Sequence, residues 1–158
     1  MPDLASPDGV KLGLGDGTFR SPSIALPWPD GVVPGSITSI AVFRPAPGGS
    51  LDLAVTLSGA DVPADPGSVV VFPGAGDGTF RAPASYPAGI DPMALVAADF
   101  RPGGAVDLAV VDAGPDVLNV RGSVSLLRGL GDGTFRSRAT SSAGAGPTSP
   151  SATRGTGP

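Results

Sequence analysis

Short apolar bursts alternate along this chain with clusters of Gly, Pro and Asp. One set runs Ile37 to Phe43, Leu51 to Leu57, Ser68 to Phe72 and Phe80 to Tyr86. A second set runs Met93 to Phe100, Val106 to Asp112, Ser123 to Arg128 and Phe135 onward. Brief runs rich in Val, Leu, Ile and Phe, closed at both ends by turn formers, predict β-strands. Four strands per set are therefore expected.

The two sets are copies of each other. Leu51-Asp52-Leu53-Ala54-Val55 stands over Val106-Asp107-Leu108-Ala109-Val110, and the segment Gly67 to Ala75 stands over Gly122 to Leu130, both at an offset of 55. Upstream, Val42-Phe43-Arg44-Pro45 matches Asp99-Phe100-Arg101-Pro102 at an offset of 57, which implies that the loop after Phe43 is two residues longer. The pentapeptide Gly-Asp-Gly-Thr-Phe occurs at Gly15 to Phe19, Gly76 to Phe80 and Gly131 to Phe135, each time followed by Arg. The first two occurrences lie 61 apart, and of the six extra residues two are assigned to that loop and four to the Pro-rich stretch Ile24 to Gly35. A period broken only in loops marks tandem structural units. Asp-Gly between two apolar strands predicts a tight hairpin turn that needs φ > 0, with the Phe anchoring the returning strand in the core.

Composition supports strands and narrows the chemistry. All 14 acidic residues are Asp, there is no Glu or Gln and only one Lys, while Gly (25) and Pro (19) are abundant. The good surface helix formers are thus missing. The chain has no His and no Cys. It therefore lacks a triad base, a thiolate nucleophile and an ordinary zinc site, so no enzyme activity is expected of it. The net charge of −4 argues against nucleic acid as a partner, because phosphate contacts need a basic surface. No apolar run approaches the roughly 20 residues of a spanning helix, so no membrane insertion is expected, and the first residues lack the signature of a signal peptide.

Asp99-Phe100, Gly104-Ala105-Val106-Asp107-Leu108-Ala109-Val110, Gly122 to Leu127 and Gly131 to Phe135, in that order and spacing, resemble the FG-GAP or VCBS-type repeats, relatives of the blades of the integrin α-chain propeller. The resemblance implies an all-β fold of β-propeller blades, each a four-stranded antiparallel repeat. It divides the chain into a partial blade with an inserted Pro-rich loop (1–36), two blades (37–89 and 90–140) and a disordered Ser/Gly/Pro-rich tail (141–158). Two blades and a part do not close a ring, so a fragment of a longer protein is expected, or self-association through open blade edges.

The family also carries a calcium loop between its first two strands, with oxygen ligands on alternate residues. Here Asp99 and Asp107 match the first and last ligands, but Arg101 and Gly103 replace the middle ones. In the earlier unit only Asp52 remains. Calcium is therefore expected to bind poorly, and Arg101 could lie between Asp99 and Asp107 as an internal cation, with Arg44 and Asp52 a weaker version. Trp28 is a candidate sugar platform or a cover over a core edge, and Tyr86 a packing residue. The resemblance implies an extracellular or cell-surface binding or scaffold module for protein or carbohydrate. The alternatives are a calcium-dependent lectin-like module and a propeller appended to a hydrolase or lyase.

Overall fold

The computed structural model of the chain describes residues 4–6, 9–21, 23–30, 32, 37–59, 66–101, 104–114 and 122–142. Among them there are ten strands and no helix. Strands β1 (Leu4–Ser6) and β2 (Gly9–Lys11) form a small antiparallel pair. Strands β3 (Ile37–Phe43), β4 (Asp52–Leu57), β5 (Pro66–Phe72) and β6 (Ala84–Ile90) form one four-stranded antiparallel meander. Strands β7 (Pro92–Ala98), β8 (Asp107–Asp112), β9 (Ser123–Gly129) and β10 (Phe135–Ser142) form the other. Neither sheet closes on itself. A single residue, Asp91, separates the two sheets. Its φ of 52° turns the chain sharply. The amides of Ala113 and Gly114 hold that corner by donating to the carbonyls of Asp91 and Ile90 at 2.8 and 3.0 Å.

Strand pairing corrects the alignment of the repeats. Phe43 faces Asp52 at the end of the first hairpin, and Ala98 faces Asp107 at the end of the second. Both residues of the first pair therefore recur 55 residues on, and the connecting loops 44–51 and 99–106 are equal in length. The same hydrogen bond closes both: Gly49 donates to the Ala46 carbonyl at 3.1 Å, Gly104 to the Arg101 carbonyl at 2.8 Å. The Phe-Arg-Pro match is thus a coincidence shifted by two residues. Arg44 is the counterpart of Asp99, and Ala46 that of Arg101.

Other boundaries differ from expectation as well, among them the end of β7, at Ala98 rather than Phe100. The fourth strand of the first sheet begins at Ala84 rather than Phe80, because Phe80 makes only an isolated bridge to Gly74 and Pro83 has no N–H to give. Strand β10 continues to Ser142, and 143–158 lie outside the described residues.

Alternation along each strand gives every sheet two apolar faces. One face of the first sheet (Ala54, Val69, Val71, with Phe43) packs on Leu108, Val110, Leu127 and Phe135 of the second. Its other face (Leu53, Val55, Val70, Phe72) packs on Val10 and Leu26 of the first unit. Each of the fully buried Val and Leu side chains stabilises the fold by about 1.5–3 kcal/mol relative to exposure. Among the described residues, the first sheet is covered on both sides and the second on one.

Candidate functional site

The Gly-Asp-Gly-Thr loops are three copies of one geometry. In the first, Leu14 donates to the Thr18 carbonyl at 3.0 Å, so Gly15, Asp16 and Gly17 form a three-residue loop rather than a two-residue Asp-Gly turn. Both glycines sit at positive φ, 89° and 90°, while the Asp between them does not. Asp16 Oδ1 accepts from the Thr18 amide (2.8 Å) and from Thr18 Oγ1 (2.5 Å). Asp77 with Thr79 and Asp132 with Thr134 repeat this arrangement. The Thr hydroxyl first, then its amide, holds each of these carboxyls below the ordinary Asp range. The acids are turned onto their own loops. This local bonding is what the repeated pentapeptide supplies.

The candidate metal residues meet at the loop between β7 and β8. Asp99 caps that loop: its Oδ1 accepts from the Arg101 amide at 2.9 Å and its Oδ2 from the Gly104 amide at 3.1 Å. Asp107 is buried and receives the Arg101 guanidinium as a fork, Nε to Oδ2 at 3.2 Å and Nη2 to Oδ1 at 2.8 Å. Its Oδ1 also accepts from the Gly129 amide at 2.8 Å. The Arg101 fork, reinforced by that amide, holds the Asp107 carboxyl below the usual range. A guanidinium occupies the carboxylate that a calcium ion would need. Among the described residues no three carboxylates gather around a common point. This donor set does not fit calcium.

The first sheet has the same cradle without the cation. Asp52 Oδ1 accepts from the Gly74 amide at 2.9 Å, as Asp107 does from Gly129. Ala46 stands where Arg101 stands, and Asp52 Oδ2 is buried with no hydrogen-bond partner among the described residues. Burial pushes this carboxyl up, opposed by the Gly74 amide and the charge of Arg81. Arg44 does not reach Asp52 as expected; its Nη1 donates to the Gly49 carbonyl within its own loop.

Trp28 stands edge-on to Phe72 with centroids 5.0 Å apart, half-buried in the core rather than displayed. Tyr86 packs edge-on to Phe135 at 5.7 Å, and its hydroxyl accepts the Phe135 N–H at 3.1 Å. A cleft of about 580 Å³ opens between the first unit and the first sheet, lined by Val10, Leu53 and Phe80 together with Arg44, Ser50 and Thr79.

One polar cluster was not anticipated from the sequence. Asp112, fully buried between the sheets, accepts from the Gly89 amide (3.1 Å), Ser123 Oγ (3.1 Å) and Ser125 Oγ (2.6 Å). A Cβ on Gly89 would lie 2.4 Å from Asp112 Oδ2, so only Gly fits there. The counterparts of Asp112 and Ser125 in the first sheet are the apolar Leu57 and Val70, and only Ser123 recurs, as Ser68, so the repeats do not reveal the cluster. The available signal is an Asp ending the apolar run Leu108 to Val111. A second missed signal is the tripeptide Asp-Leu-Ala at Asp3, Asp52 and Asp107, which marks the same strand in three units; Asp3 itself lies outside the described residues.

Comparison of the chain with protein-family models, with curated proteins and with solved structures returns no match.

Proposed function

We propose that this chain is a non-catalytic binding or scaffold module, a run of β-propeller blades of the FG-GAP or VCBS type that contacts protein or carbohydrate through its loops at an extracellular or cell-surface location. The observation that carries the reading is the stacking of two equivalent four-stranded meanders at a uniform 55-residue step. Rigid loops of one geometry stand at the equivalent corner of each unit. The 580 Å³ cleft beside the second loop combines apolar walls with one guanidinium, two hydroxyls and the Asp52 carboxylate, a mixture suited to a small polar group on a partner. Because Arg101 already occupies the acidic loop, binding is independent of calcium.

A glycan array probed with and without chelator, beside a melting curve with and without millimolar calcium, tests this reading. Any glycan signal is expected to survive chelation and to weaken in Arg44→Ala, with the melting temperature unmoved by calcium. A signal abolished by chelator, or a clear rise in melting temperature with calcium, would replace the reading with the calcium-dependent lectin.

A further inference from the structure

Among the described residues, nothing covers the face of the second sheet that points away from the first. Pairing sets Ala94, Val111 and Val124 side by side, with Val96, Ala109 and Leu126 in the next row but one along the strands. None of the six carries a polar side chain. Val111 and Val124 are 50% and 45% exposed, whereas Thr56 and Val69, 55 residues earlier, are fully buried under the second sheet. Ala54 and Val71, the counterparts of Ala109 and Leu126, are fully buried as well. What covers this type of face inside the chain is therefore known: the opposite face of another unit.

That opposite face is also bare, at the other end of the chain. In the second sheet Phe135 is 6% exposed, inserted against Phe43 and Tyr86 of the preceding unit. Phe19, its counterpart in the first unit, is 42% exposed. Leu4 faces Lys11 in the register that Leu53 keeps with Phe72 and Leu108 with Leu127. Leu53 and Leu108 are buried, yet Leu4 is exposed. The described residues thus present a knob face on one side and a receiving face on the other.

We propose that the bare face of β7 to β10 docks a second copy of this chain head to tail, with Leu4 and Phe19 of the incoming copy laid over Val96, Val111 and Val124. Continuity fixes the occupant: the contact extends a series of interfaces already made within one chain, and the same chain carries both halves. Lys11 beside Leu4 lays its stem along the apolar rows. The contact is heterologous, so successive copies form either a closed ring or an open filament. It stands independently of what the loops bind.

Sedimentation of the full chain across a concentration series tests the proposal. The unmodified chain is expected to gain mass with concentration. Val111→Asp combined with Val124→Asp blocks the receiving face, and Phe19→Asp blocks the knob; each variant alone should remain monomeric. Mixed, the two should form a one-to-one dimer and grow no further, since one supplies an intact knob and the other an intact receiving face. Cooperative melts confirm that the variants fold, and Val96→Lys gives a second block of the receiving face should the Asp pair fail to fold. A monomer at every concentration, a mixture that stays monomeric, or self-association of Phe19→Asp alone would overturn the head-to-tail contact.

Discussion

Asp52 and Asp107 stand at the same place in two copies of one unit, and their surroundings pull their carboxyls in opposite directions. Each opens the second strand of its sheet and accepts the amide of an equivalent Gly at the end of the third. Asp107 then receives the Arg101 fork, while Asp52 presses its second oxygen against the loop glycine Gly133 of the neighbouring sheet, 2.8 Å from where a Cβ would stand. The backbone cradle is shared. One residue in the preceding loop, Arg101 against Ala46, decides whether the buried carboxylate receives a forked ion pair. A repeat thus conserves geometry between its copies more strictly than electrostatics.

The sharpest way to break this comparison is at Gly133. Gly133→Ala pays about 1–2 kcal/mol for an L residue at positive φ and must also displace the buried Asp52 carboxylate, for a total of about 2–4 kcal/mol. Gly17→Ala meets nothing within 4 Å and should cost only the backbone strain. Equal losses in denaturant melts would show that Asp52 is not packed on Gly133.

Next in size is the loss of the cradle itself. Asp107→Ala leaves the buried Gly129 N–H without its acceptor and should destabilise by about 1–3 kcal/mol. Asp52→Ala strands Gly74 in the same way but also removes an unpartnered oxygen, so it should cost less. A smaller effect of opposite sign is expected from Asp52→Asn, which keeps the Gly74 acceptor and removes the buried charge. It should raise stability by about 1 kcal/mol at neutral pH. A fall in melting temperature would mean that the charge of Arg81 outweighs the burial of Asp52.

The smallest effects lie in pH. The Asp107 carboxyl is held below its ordinary 3.8, so its contribution is complete above pH 3.8 and is lost as pH falls through the folded value. The Asp52 carboxyl is raised, so its contribution is complete below pH 3.8 and is lost as pH rises through the folded value. Between neutrality and pH 3.8 the unmodified chain should gain stability on acidification relative to Asp52→Asn. Asp107→Ala should differ in slope only below pH 3.8. Parallel curves throughout would contradict the assignment.

Much of the architecture could be read from the residues. The boundaries of β3 follow from its apolar burst, and the order of four strands per unit follows from bursts separated by Gly and Pro. The phase of the first hairpin could not be read, because the identical triplets at Phe43 and Phe100 outvote a match that only strand pairing reveals. Hydrogen bonding between strands selects Phe43 with Ala98, a pair with no likeness in side chain. The pairing of Arg101 with Asp107 was foreseeable, since an Arg two residues into an acidic loop has carboxylates within reach, but the guanidinium does not lie between Asp99 and Asp107, because both Asp99 oxygens accept loop amides. The bare Asp52 was not, since its partner's absence depends on that same phase. The buried Asp112 escaped because its counterparts are apolar.

The chain holds one Trp and one Tyr, and they stand at different interfaces. Trp28 touches Phe72, where the first unit meets the first sheet, and Tyr86 touches Phe135, where the two sheets meet. Intrinsic fluorescence is therefore divided spatially without any added label. Selective excitation of the indole follows the separation of the first unit, and tyrosine emission follows the parting of the sheets. Whether the stack comes apart from one end or all at once can be read from the order in which the two colours change.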